Sequence, residues 1–280
     1  MAAESIESPE PTESTESTES PESTESPESP PVREARDAGV VTLTLDSPHN
    51  RNALSSALVV GVLDGVRRAG VDPDVRAVVL THTGGTFCAG ADLTEAGADP
   101  ATRTAQMVEL LRAVVEAPVP VIGLIDGHVR AGGMGLIAAC DVVIAGPRST
   151  FALTEARLGL APSIISLTVL PRLTSRAASR LFLTGEKVGP AEAAAWGLIT
   201  EAVDDPSAAV RPLLASFRLS SPQGLAETKK LTTAAVLDEF DRRADALAAD
   251  SARLFASAEA REGMMAFLEK RPPSWAVVRG

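Results

Sequence analysis

The chain has 280 residues, 45% of them hydrophobic, enough apolar matter for a sizeable core in one large domain or two small ones. Its formal charge of −11 is concentrated at one end: residues 1–31 hold nine Glu and no Lys or Arg, so the remainder carries only −2 and offers no basic stripe for nucleic acid. Two cysteines, Cys88 and Cys140, exclude a disulfide framework and fit a reducing compartment; with no run of 18 apolar residues and no signal-peptide start, a soluble cytoplasmic protein is expected.

Glu4 to Pro31 is a low-complexity run of Glu, Ser, Thr and Pro with Glu at every third position. Such a composition cannot bury enough apolar surface to offset its ordering entropy, so residues 1–37 are assigned to a disordered acidic tail. Residues 38–200 follow as an α/β body and 201–280 as a helical region. Gly39 to Asp46 alternates like a half-buried strand, and residues 47–55 make a polar turn into a helix with Val59, Val62, Leu63 and Val66 on one face. Val75 to His82 is a second strand, ending in a glycine-bearing loop, Thr83 to Leu93. Thr102 to Glu116 reads as an amphipathic helix stopped by Pro118 and Pro120.

Val121 to Ile125 is an apolar strand that turns at Asp126-Gly127 and opens a buried helix at Gly132-Gly133. A helix start leaves backbone N–H groups without partners and with partial positive charge, and glycine lets a ligand approach them closely. That suits an anion, or an oxygen that becomes one during reaction; tight strand–helix packing accounts for the glycines equally well. Cys140 to Ala145 is a further short strand. Strand–helix alternation with a glycine loop after a strand, repeated twice, points to an α/β layout with ligands at the strand carboxyl ends. No GxGxxG or GxxxxGK[ST] follows a strand, which argues against nucleotide folds. Beyond residue 160 the chain turns helical, and Leu237, Phe240, Ala244, Leu247, Ser251 and Leu254 form a single stripe suited to a lid or an oligomer interface.

Several segments, in order, carry a family resemblance: Arg51-Asn-Ala-Leu54, Phe87-Cys-Ala-Gly-Ala-Asp-Leu93, the Gly132-Gly133 helix start, Phe151 to Leu160, Leu183-Thr-Gly-Glu186 and Glu262 to Arg271. Together they resemble the enoyl-CoA hydratase/isomerase (crotonase) family. The resemblance implies an α/β spiral of ββα units, a helical C-terminal trimerisation region giving a homotrimer or hexamer, and an acyl-CoA thioester substrate. It implies that the backbone N–H groups of Ala91 and Gly132 hold the thioester oxygen as it gains enolate charge. It also makes Arg51, Ala53, Ala89, Asp92, Leu93 and Gly133 walls of the CoA site. Phe267 and Lys270 would reach CoA too, from the same subunit or a neighbour, although Lys270 also fits an ordinary surface lysine near a chain end.

Typical hydratases of the family use two glutamates, and the resemblance maps them to positions 135 and 155. Here position 135 is glycine and only Glu155 remains. Glu155 lies between apolar residues, where burial would raise its pKa towards neutral and suit it to acid/base work. The expected activity is addition of water to a 2-enoyl-CoA with one catalytic glutamate. The alternatives are another enolate reaction (isomerisation, decarboxylation or hydrolysis) or a non-catalytic acyl-CoA-binding paralogue. Asp126, Asp141 and His128 are explained by turns, strand ends or packing. No His/Cys/carboxylate set has metal-ligand spacing, so neither a metal nor a cofactor other than the substrate's own CoA is expected.

Overall fold

The computed structural model describes residue 1, residues 30–95 and residues 99–277, without the side chain of Leu93; residues 2–29, expected to be disordered, lie outside the described residues. The first strand, β1 (Val32–Asp37), falls inside the stretch that composition assigned to the tail, which moves the start of the body forward. It pairs antiparallel with β2 (Val40–Leu45) across Ala38 and Gly39, whose φ angles of 43° and 77° make the tight turn that suits a two-residue hairpin. Charged residues dominate β1 because it is an exposed edge, so no apolar alternation marks it.

After α1 (Ser56–Val71) come β3 (Ala77–His82) and β4 (Thr86–Cys88), then α2 (Pro100–Glu116). β5 (Val121–Ile125) and β6 (His128–Arg130) lead to α3 (Gly132–Ala139), and β7 (Val142–Ala145) and β8 (Thr150–Ala152) lead to a 3-10 turn at Glu155–Leu158. Each repeat places its first strand in a large sheet and its second in a small one, the spiral of ββα units that was expected. The large sheet runs β1-β2-β3-β5-β7 and ends on β9 (Glu201–Ala202), parallel beyond the first pair, and the small one runs β4-β6-β8, all parallel.

The rest of the chain is α4 (Ser166–Val169), α5 (Ser175–Thr184), α6 (Pro190–Trp196), β9 (Glu201–Ala202), α7 (Pro206–Arg218), α8 (Pro222–Phe255) and α9 (Ala258–Leu268). β9 pairs with β7, so the sheet reaches past residue 200 into the region assigned as helical. Both faces of the large sheet are covered. Val41, Leu43, Leu45, Val78 and Leu80 point into the core beneath α1 and α2, whereas Val40, Ala77, Val79, Ile122 and Ile144 meet Val210, Leu213, Leu214 and Phe217 of α7. Double coverage is why the central strands read as apolar runs.

Several helices begin where side-chain caps satisfy their first N–H groups. Ser55 accepts from the Leu58 amide, and Asp99 accepts from Ala101 and Thr102 ahead of Pro100. The long α8 packs its stripe against α2, with Val236, Phe240, Ala244 and Ser251 buried. It also buries Lys229, whose Nζ lies 2.7 Å from Asp141 Oδ2 and donates to the Val114 and Val119 carbonyls. Asp141 in turn accepts from the Val121 amide, which ties the start of β5 to α8. No helix among the described residues is long and apolar enough to cross a membrane.

Candidate active site

The small sheet assembles the site. Its strands are parallel, with Cys88 opposite Val129 and Arg130 opposite Ala152, so three segments leave its carboxyl edge side by side. They are Ala89 to Asp92 after β4, Ala131 to Gly133 after β6, and Leu153 to Glu155 after β8. The first two touch. A β-carbon on Gly90 (φ 99°) would lie 2.8 Å from Ala131 Cβ, and one on Gly133 would lie 2.6 Å from Cys88 Cβ. Glycine at both positions is therefore required by the close approach of the two chains.

Two N–H groups are left over at this junction. Leu54 donates to the Gly90 carbonyl (2.8 Å) and Asp92 donates to the Leu54 carbonyl (3.4 Å), a strand-like pairing that turns the intervening Ala91 N–H the other way. Gly132 begins α3, where the first amides have no helical acceptor. Among the described residues neither N–H donates to a protein group. Just before Gly132, Ala131 sits at φ 46°, ψ −120°, a conformation that costs roughly 1–3 kcal/mol for a residue with a β-carbon. Hydrogen bonds from the Ala131 amide to the Ala152 carbonyl (3.3 Å) and from the Met134 amide to the Ala131 carbonyl (2.8 Å) hold it there.

Glu155 opens the 3-10 turn beyond β8. Its side chain is buried, and Oε2 has no hydrogen-bond partner. Burial disfavours the charged form and raises its pKa from the ordinary 4.5 to about 7. The turn is clamped from outside by α9: the α-carbon of Gly159 (φ 70°) packs on Glu259 and Ala260, and that of Gly263 packs on the Leu158 carbonyl. The position expected to hold a second carboxylate has no room for one. A β-carbon on Gly135 would lie 2.5 Å from Ile165 Cγ2 and 2.8 Å from Ile165 Cβ, with Leu111 Cδ1 at 3.3 Å.

The residues singled out for CoA fall into three groups. Arg51, Ala53, Ala89, Asp92 and Gly133 gather around the strand ends. Arg51 adopts a left-handed conformation (φ 59°), exposes its side chain, and accepts the Ala89 N–H at its carbonyl (3.2 Å). Ala53 is buried and donates its N–H to Asn50 Oδ1. Asp92 is also buried, and its carboxylate is used internally, accepting from Thr94 N–H and Oγ1 and from Asn50 Nδ2. Burial pushes its pKa up, but these hydrogen bonds and Arg103 outweigh that and hold it below the usual range. Asp92 and Thr94 thus lock the loop that carries Ala91. Leu93 begins a short turn, and its side chain lies outside the described ones. Phe267 and Lys270 stay apart: both are exposed, and among the described residues no hydrogen bond joins them to the loops of Arg51 or Ala91.

Sequence reasoning missed Asn52, which is fully buried at φ 53°. Its Oδ1 accepts from Ser47 N–H and its Nδ2 donates to the Thr83 and Thr86 carbonyls, lacing the Arg51 loop to β3 and β4. An asparagine beside polar turn residues was the available signal, since Asn tolerates the left-handed region. His128 lies at the far end of β6 and hydrogen-bonds Thr150 Oγ1, away from the glycine pair it adjoins in sequence. Among the described residues no cluster of His, Cys, Asp or Glu could hold a metal ion.

The chain matches the enoyl-CoA hydratase/isomerase family over residues 35–277. A candidate enoyl-CoA hydratase of solved structure from Mycobacterium avium paratuberculosis K-10 is 60% identical, covering 88% of this chain and 99% of its own, with a TM-score of 0.84. A candidate enoyl-CoA hydratase of Thermus thermophilus is 34% identical over 248 residues, 84% of this chain and 96% of its own. The 1,2-epoxyphenylacetyl-CoA isomerase of Escherichia coli is 33% identical over 251 residues, 85% of this chain and 95% of its own. The chain therefore belongs to the enoyl-CoA hydratase/isomerase family.

Proposed function

Starting from that family membership, we propose that the protein is an enoyl-CoA hydratase, a hydro-lyase that adds water to a 2-enoyl-CoA thioester with Glu155 as its one acid/base group. The observation that carries the reading is the Glu155 carboxyl, buried with Oε2 unpartnered and its pKa raised to about 7, at the same sheet edge as two unpaired N–H groups. A group poised near neutrality both takes and returns a proton.

In the proposed reaction the Glu155 carboxylate accepts a proton from water as its oxygen bonds to the β-carbon. The π electrons move through the α-carbon to the thioester oxygen, and the enolate is held by the Ala91 and Gly132 N–H groups. The protonated Glu155 then returns its proton to the α-carbon and the thioester carbonyl reforms. Loss of one such N–H donor typically costs about 3–4 kcal/mol of transition-state stabilisation. Arg51, Ala53, Ala89 and Leu93 are proposed to wall the CoA site, with Asp92 and Gly133 shaping it from behind. Phe267 and Lys270, exposed on the protomer, are proposed to reach CoA in a homotrimer or hexamer, which fits the apolar surface of Met265, Phe267 and Leu268 on α9. The substrate's CoA is the only cofactor-like group proposed, and the proposed location is the cytoplasm.

The filled space at Gly135 favours a second reading. With Ile165 where another carboxylate would start, water has one ionisable group to orient it, and isomerisation through the same enolate needs no more than that. The test is an absorbance assay with crotonyl-CoA and 3-methylcrotonyl-CoA, followed by product identification. Loss of the enone band with a 3-hydroxyacyl product supports hydration, and Glu155→Gln should abolish it while thioester binding persists. An intact, CoA-binding protein that leaves the enone untouched would move the assignment to isomerisation or another enolate reaction.

A further inference from the structure

Cys88 is fully buried, and burial pushes its thiol up to about 12, so it stays protonated at physiological pH. It is the last residue of β4 and stands directly beneath the two segments whose N–H groups face the site. Its Sγ accepts the Gly90 amide at 3.4 Å. The α-carbon of Gly133 packs so closely that a β-carbon there would lie 3.0 Å from that sulfur. Gly90 precedes Ala91, and Gly133 follows Gly132. One sulfur therefore hydrogen-bonds the peptide neighbour of the Ala91 N–H and packs against that of the Gly132 N–H, between two loops that have no backbone hydrogen bond to each other among the described residues.

A peptide unit is planar, so the direction of one N–H is coupled to its neighbour through only two soft dihedrals. Fixing the Gly90 amide on the sulfur, with Gly133 packed against the same atom, limits the rotation open to Ala91 and Gly132. We propose that Cys88 is a positioning residue of the thioester-oxygen site, its sulfur the acceptor that fixes the Gly90 amide and the surface that seats Gly133, so that the Ala91 and Gly132 N–H groups are aimed at one point. The proposal rests on the reading of those two groups as the oxygen's donors. A plain core-filling sulfur is the competing account, and it separates cleanly: core filling concerns stability and is served as well by other small side chains, whereas aiming needs an acceptor atom.

The experiment compares Cys88→Ala, which removes the acceptor, with Cys88→Ser, which keeps one. With Glu155 intact, the alanine variant should lose roughly ten- to a hundredfold in kcat with KM little changed, less than or equal to the loss of a whole donor, and the serine variant should recover most of it. The decisive readout uses Glu155→Gln as parent, so that the thioester is bound and not consumed. Infrared difference spectra of carbonyl-13C crotonyl-CoA, at saturation, report how far the bound carbonyl frequency drops. The drop should be large in the parent, reduced by Cys88→Ala and restored by Cys88→Ser. An equal drop in all three overturns the role of Cys88 and leaves the oxygen site standing; no drop in the parent overturns the oxygen site and the proposal with it. An alanine variant that does not fold also contradicts the proposal, which assigns the sulfur to aim and not to stability.

Discussion

Replacing Glu155 by Gln should stabilise the protein progressively as pH rises. In the folded state burial lifts the carboxyl to about 7, whereas the unfolded chain has the ordinary 4.5. Below 4.5 both states hold the proton and Glu155 contributes no pH-dependent loss. Between the two values the folded state binds a proton that the unfolded state has released, so stability falls with rising pH and levels off above about 7. The gap in pKa corresponds to roughly 3 kcal/mol. Glutamine has nearly the same shape and does not titrate. Its amide brings its own unmet hydrogen-bonding need, about 1–3 kcal/mol and independent of pH, so the informative quantity is the slope of the difference. Urea unfolding of both proteins at one fixed concentration, from about pH 5 to about pH 8.5, should show the wild type losing roughly 2.5 kcal/mol relative to Glu155→Gln, the rest of the loss lying below about pH 5. Parallel pH curves would refute the argument, because they would mean that the carboxylate is charged and compensated in the folded protein.

Other consequences are accessible with the same protein. If Glu155 must be ionised to accept water's proton, kcat/KM should rise with pH through a single ionisation near 7 and then level; a flat profile from about pH 5 to about pH 8 would contradict that. Gly135→Glu should fold poorly or be destabilised by more than the 1–3 kcal/mol usual for overpacking, because its β-carbon meets Ile165. Adding Ile165→Ala should relieve part of the loss in thermal denaturation, and a single variant as stable as wild type would show that the space is open. Lys229→Met removes one partner of a buried ion pair and two carbonyl hydrogen bonds, for an expected cost of about 3–5 kcal/mol in urea unfolding. A cost below about 1 kcal/mol would place that pair with weak surface pairs.

Much of the fold was legible because its signals are local. The stripe on α1, the run of β5 and the spacing on α8 each follow from the period of one element and from apolar surface that must be covered. The boundaries were less legible. β1 is a charged edge whose order comes from pairing with β2, and β9 is two residues long and exists only because β7 offers an edge. Neither carries a pattern of its own. Nothing near Lys229 in sequence announces its burial against the carbonyls of Val114 and Val119 and the carboxylate of Asp141.

The sequence by itself determined that the body is α/β, that glycines stand where strands end, suited to backbone N–H donation and to tight packing alike, and that a glutamate stands in an apolar setting, while the family resemblance added that a second carboxylate position is glycine. These are matters of residue type and spacing, which the chain carries wherever it folds. Tertiary structure alone decided which groups end up together and which are already used. It brought the ends of β4, β6 and β8 to one edge and left Glu155 Oε2 without a partner. It turned the Asp92 carboxylate inward to hold its own loop, and it placed Ile165 against Gly135. The physical reason is that burial and hydrogen-bond satisfaction belong to neighbours in space. A carboxyl's charge, an amide's direction and the room above a glycine are set by segments far along the chain, and those neighbours exist only once the sheets have closed.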